Sequence, residues 1–243
     1  MNDYYHLYLN NILEKLKVAE VLPDPFPHMI LDLDYHIDYT KFDVNQNESF
    51  NGRAASDVIF SNHHEDTFDD RSMDVYEKKS EIKKIILEKF DLEIHQEQTK
   101  ELGEFTTYLW EDTFKEGGDA TDIHIDFLHP GNDDYKSKIP YPVVTMQTYV
   151  PPTNDYIDIG TSFYKYVGDD IFKDAFIPHE LPYEHPCNAW EHRHHTFQMV
   201  KSIPFQNGIT VLHSNTNDAW HSMTQDVPKN YKRVSLGSRI HYL

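Results

Sequence analysis

His124 and Asp126 stand one residue apart in Thr121-Asp122-Ile123-His124-Ile125-Asp126-Phe127. Alternate side chains of an extended segment point the same way, so this imidazole and carboxylate converge on one spot. Much further along the chain come Trp220-His221 and then Arg233-Val234-Ser235. A second histidine from a distant strand would complete a face of two imidazoles and one carboxylate. Such a face leaves half of an octahedral metal open to exchangeable ligands, the donor set of non-haem ferrous centres. His221 is the candidate third donor: it sits in a short apolar stretch and precedes Arg233 by enough chain for one turn and half a strand. His213 is its rival, upstream of that turn and without an arginine at a matching distance.

The pair alone is a weak signal. The chain has 16 histidines, and His36-Ile37-Asp38 repeats the H-x-D pattern. More information lies in what accompanies it. Arg233 and Ser235 share one face of a strand, where a guanidinium fork can grip a carboxylate and a hydroxyl can add a donor. An exposed arginine on a last strand is the commoner case for any single Arg. Arg239 has the same parity, but it lies six residues on, about 20 Å along an extended chain, so both cannot touch one small ligand. Thr145, Gln147 and Tyr149 also share a face and are candidate donors to the same ligand, although alternating polar residues often only line a barrel. His192 and His194, in Glu191-His192-Arg193-His194-His195, could share an ion. Without cysteines at zinc spacing, a solvated loop at the pocket rim is the simpler reading. His6, His129 and His241 read as ordinary surface or core residues.

These side chains need a scaffold. Tyr5, Leu9, Ile12, Leu13 and Leu16 recur with helical period, which predicts a helix over Tyr4–Glu20 with Asp3 as its cap, ended by Pro23, Pro25 and Pro27. A strand follows at His28–Asp34. The polar stretch Tyr39–Arg71 reads as an irregular excursion. Ile82, Ile85, Ile86 and Phe90 mark a second helix over Asp74–Phe90, with Asp74 and Glu77 resembling a capping box. From Gly103 the period changes to two. Strands are expected near Glu104–Trp110, Asp122–Phe127, Pro142–Val150, Gly160–Tyr166, Thr196–Ile203, Gly208–His213, Ala219–Gln225 and Lys232–Tyr242. An insertion of about 168–195, carrying Pro178, Pro182, Pro186 and Cys187, interrupts them as a candidate lid. The fold class expected is mainly β with flanking helices (α+β), around a double-stranded β-helix or jelly-roll, cupin-like core.

Composition sets outer limits. At 243 residues with no compositional break, one domain is expected. The 16 Tyr and 14 Phe suit a β-rich core. A formal net charge of −19 repels phosphate, so nucleic acid is an unfavoured partner, as is an anionic membrane. No stretch approaches the roughly 20 apolar residues of a membrane span, and the first residues lack a secretory signal pattern. The single cysteine forbids an internal disulfide and fits a reducing, cytoplasmic setting. Oligomeric state is not legible.

Taken in order, the motifs resemble those of the Fe(II)/2-oxoglutarate-dependent dioxygenases. Pro25-Phe26-Pro27-His28-Met29-Ile30-Leu31-Asp32 looks like the family's supporting strand, and His124-x-Asp126 like its proximal ligands. Val143–Tyr149 with Gly160-Thr161-Ser162-Phe163-Tyr164 resembles the paired central strands; Asn207-Gly208, Trp220-His221 and Arg233-x-Ser235 resemble the closing ones. The resemblance covers residues 25–38 and 103–243. It implies one oxygenase domain over 1–243, with helices and a supporting strand in 1–102 and the β-helix in 103–243. It further implies Fe(II) on His124, Asp126 and His221, 2-oxoglutarate held by Arg233 and Ser235, and O2 as co-substrate. Ile159-Gly160 stands where many members have Gly-Gly, and Arg233 where prolyl-hydroxylase-like members use Lys. Members that halogenate lack the carboxylate that Asp126 supplies, so hydroxylation or a related oxidation of a small molecule or a peptide side chain is the implied reaction. Two other classes fit parts of the sequence: a non-catalytic jelly-roll that only binds or builds, and a metal hydrolase. The hydrolase lacks a general-base motif.

Overall fold

Apolar residues on one side of an N-terminal helix and in alternate strand positions meet to form the main core. The computed structural model describes residues 3–41, 58–64, 73–92, 106–114, 123, 125, 143–168, 197–216, 218–225, 228 and 231–241. Within them, helices α1 (Asp3–Val18) and α2 (Met73–Lys89) accompany strands β1 (His28–Asp32), β2 (Val58–His64), β3 (Thr106–Phe114), β4 (Val143–Tyr149), β5 (Thr161–Tyr166), β6 (Phe197–Ile203), β7 (Ile209–Ser214), β8 (His221–Met223) and β9 (Lys232–His241).

The strands make two antiparallel sheets, one in the order β1-β7-β4-β9-β3-β2 and a smaller one in the order β6-β5-β8. The chain passes repeatedly between them, so neighbours in sequence such as β7, β8 and β9 alternate between sheets. On the large sheet the side chains sort by parity. Met29, Leu31, Val144, Met146, Leu212, Val234, Leu236 and Ile240 face the helices and pack with Tyr5, Leu9, Ile12, Leu16, Ile82 and Ile86. Each fully buried aliphatic side chain there contributes about 1.5–3 kcal/mol. Tyr149, Ile209 and Val211 face the other way and pack with Phe26 and with Ile159, Phe163, Ile203, Phe205 and Met223 of the small-sheet side. The protein is therefore a two-layer β sandwich with helices on one outer face.

Polar side chains buried in the helix-facing layer include one hydrogen-bonded set. The Tyr8 hydroxyl shares a 2.9 Å hydrogen bond with Thr148 Oγ1, which lies 2.7 Å from Thr210 Oγ1. Burial pushes the Tyr8 phenol above its ordinary range, so it stays neutral.

Two expectations for the N-terminal half need correction. The stretch Tyr39–Arg71 is not wholly irregular: a 3-10 turn spans Tyr39–Lys41, and β2 pairs with β3 as an edge strand. The supporting strand of 1–102 therefore has a companion. An edge strand is bonded on one side only, which lets a polar sequence such as Ser61-Asn62-His63-His64 join a sheet. Asp74 lies inside the first turn of α2, and its carboxylate pairs with His6 at 2.8 Å and Lys78 at 2.7 Å rather than capping the helix. Of the strand expected at Asp122–Phe127 only Ile123 and Ile125 are described, and the 168–195 insertion lies almost wholly outside the described residues.

Candidate functional site

The interior face of the large sheet carries a row of polar side chains. Since Val234 and Leu236 point to the helices, Arg233 and Ser235 point between the sheets. The same parity turns Thr145, Gln147 and Tyr149 of β4 inward. Gln147 Nε2 donates to Ser235 Oγ at 3.0 Å, a link between two central strands. Arg233 is 7% exposed, and its guanidinium carbon lies 5.0 Å from the Phe205 ring centre and 6.0 Å from that of Tyr149. Two aromatic rings thus lie against the guanidinium.

Tyr149 is fully buried, and its hydroxyl donates to Thr161 Oγ1 across to the small sheet at 2.5 Å. Burial pushes its phenol up, opposed by the Arg233 charge and by Thr161. The only proton of that hydroxyl is committed to Thr161, so the visible role of Tyr149 is to support Arg233. Close by, Tyr231 donates to the Thr153 carbonyl at 3.1 Å, and burial pushes its phenol up to about 12.

At the other end of the row, Thr145 is in register with His213 on one neighbouring strand and with Arg239 on the other. Thr145 Oγ1 is buried and makes no hydrogen bond among the described residues. His213 in turn pairs with His28 on β1. Across the sandwich, the ring centres of His213 and His221 are 4.7 Å apart. His221 Nδ1 donates to the Ala219 carbonyl at 2.9 Å, since a carbonyl can only accept. That bond fixes the tautomer and turns the basic Nε2 into the ligand-competent nitrogen. His28 is fixed likewise, donating from Nδ1 to the Phe26 carbonyl at 2.8 Å. Desolvation holds His28 below the usual histidine range, partly offset by that bond.

Trp220, the residue before His221, packs with Phe197 and Ile125, and Ile123 lies against the same cluster. His124 and Asp126 are outside the described residues, as are His129 and Glu191–His195. The second H-x-D pattern is structural: Ile37 is a core residue whose backbone bonds both ways with the Asn207 amide, and Asp38 Oδ1 accepts from Thr40. No group of three or more His, Cys, Asp or Glu poised for a metal occurs among the described residues.

Phe205 is a neighbour of the site that no motif names, and His28, Phe163 and His213, which the sequence offers only as strand residues or as the rival histidine, are neighbours too. The strand parity of His28, Phe163 and His213 was readable, but the juxtaposition of β7 with β8 across the sandwich was not.

No family model matches the chain, and no curated protein matches it. Among solved structures it is similar to a prolyl-4-hydroxylase of Pseudomonas putida at 8% identity and TM-score 0.41, covering 97% of this chain and 99% of that one. It is also similar to the α-ketoglutarate-dependent epimerase SnoN of nogalamycin biosynthesis (11%, TM-score 0.48, 97% and 81% covered). A third is a prolyl hydroxylase of Trichoplax adhaerens in complex with a hypoxia-inducible-factor peptide (10%, TM-score 0.40, 97% and 90% covered). With TM-scores from 0.40 to 0.48, these likenesses assign nothing, and the functional reading rests on this chain's own residues.

Proposed function

We propose that the chain is an Fe(II)- and 2-oxoglutarate-dependent oxygenase, a single domain on a double-stranded β-helix, that oxidises a small molecule or a peptide side chain. The observation that carries this reading is the packing of Ile123 and Ile125 on one cluster with Trp220. Ile123 and Ile125, two residues apart, meet the same cluster, whose Trp220 directly precedes His221. His124 and Asp126, which alternate with these isoleucines in the sequence, are then the donors proposed to join His221.

The donor set fits the metal. His221 is held in the tautomer that offers Nε2, and two imidazoles with one carboxylate suit ferrous ion and leave adjacent positions open. When bound, Fe(II) would supply the O2 chemistry that couples decarboxylation of 2-oxoglutarate to succinate and CO2 with substrate oxidation. The remaining work falls to side chains. Arg233, braced by Phe205 and Tyr149, holds the distal carboxylate of 2-oxoglutarate as a two-pronged donor. Ser235, oriented by Gln147, adds a hydroxyl, and Thr145 Oγ1 offers a further donor nearer His221. The apolar pack of Phe26, Ile209, Val211 and Phe163 keeps the interior dry, which strengthens each of these contacts.

An anaerobic titration with Fe(II) and 2-oxoglutarate tests the reading by its visible charge-transfer band. The band is expected in the native protein, and both band and succinate production are expected to vanish in His124→Ala and Asp126→Ala. Succinate formed at the native rate by either variant would refute the assignment.

A further inference from the structure

We infer that His213 is a positioning residue for His221, an inference that rests on the metal reading above. The hydrogen bond from His221 Nδ1 to Ala219 sets the tautomer but leaves the ring able to swing about its own side-chain bonds. A ring packed against it limits that swing. His213 supplies that ring, which lies 4.7 Å from that of His221, tilted by 52°.

His213 is itself fixed on further sides. Phe26 and Phe163 meet it edge-on, each at 5.9 Å and at 71° and 72°. Those two phenylalanines lie 4.6 Å from each other, and His28 closes the group at 4.9 Å from Phe163. Phe163 is also the residue in register with His221 on the small sheet. The ring that steadies His213 thus belongs to the same strand pair as the histidine that His213 steadies. The contact spans the two sheets, so a shift of one relative to the other is transmitted to His221. Rings in mutual contact at these separations leave each other few rotamers.

The test uses Co(II) as an anaerobic probe on the full chain, reading affinity and the visible d–d band, with thermal unfolding followed in parallel. His213→Leu keeps bulk but removes the flat face. It is expected to weaken Co(II) binding about 10- to 100-fold and to alter the band, the usual effect of removing a group that orients a ligand. His213→Phe restores a ring and is expected to recover most of the affinity, and it serves as well should the leucine variant fail to fold. Native Co(II) affinity and band in folded His213→Leu, or a phenylalanine variant as impaired as the leucine one, would overturn the inference. His221→Ala separates the two claims: native Co(II) binding there sinks the metal reading, whereas its loss alongside an unaffected His213→Leu sinks only the positioning role.

Discussion

Replacing Arg233 puts the co-substrate half of the reading at risk. The side chain is 93% buried by its exposure of 7%, and it lies against Phe205 and Tyr149. Arg233→Met keeps much of the volume and contact area but removes two charge-assisted hydrogen bonds. At about 1.5–3 kcal/mol each, the loss is about 3–6 kcal/mol, or roughly 10²- to 10⁴-fold in KM for 2-oxoglutarate. Arg233→Lys keeps the charge yet loses the planar fork and its seat on the Phe205 ring; a loss of about 1.5–3 kcal/mol, near 10- to 100-fold, is expected. The assay is succinate release against 2-oxoglutarate concentration, repeated with 2-oxobutyrate, which has no distal carboxylate. Each variant should lose discrimination between the two oxo-acids rather than activity with both. Equal losses on both, or an unchanged KM in Arg233→Lys, would refute the clamp.

Three further outcomes follow from the packing. A Cβ at position 160 would lie 1.8 Å from the Ile203 carbonyl oxygen, and since backbone cannot yield cheaply, Gly160→Ala should destabilise by about 3 kcal/mol in urea unfolding. Tyr8→Phe removes one member of the Tyr8–Thr148–Thr210 chain and should cost about 1 kcal/mol, because Thr148 keeps Thr210 as a partner. His28 titrates below its ordinary value of 6.5 in the folded chain, so the unfolded chain takes up the proton first as pH falls. Stability from this group is complete above about pH 6.5 and is lost as pH drops from there toward the folded value. His28→Leu should therefore flatten the stability difference between pH 7.5 and 5.5; an unchanged slope in chemical denaturation would disprove it.

Helices and strands were legible where a period was sustained. Tyr5, Leu9, Ile12 and Leu16 are all fully buried, and the inward parity of Thr145, Gln147 and Tyr149 held along β4. β2 escaped notice because Val58-Ile59-Phe60 is a brief apolar run in polar surroundings, and its pairing with β3 slips between Val58 and Phe60. Arg233 could be singled out from its strand and its distance to His221. Its brace could not, since Phe205 follows Pro204 on a connection and meets the guanidinium only through tertiary contact. His213 was set aside for a sequence-distance reason. Distance along a chain is silent on which strands confront one another across a sandwich.

The two-sided nature of β9 has a consequence for how this protein can change. Arg233 and Ser235 alternate with Val234 and Leu236, so the residues that would hold a ligand and the residues that seat the helices occupy one stiff rod, bonded to β3 on one flank and β4 on the other. A swap on the helix side that tilts this rod by a fraction of an ångström retunes the grip on the far side. Selection for a new ligand would therefore meet least resistance in the three-stranded sheet and its connections, leaving β9 the slowest part of the site to drift.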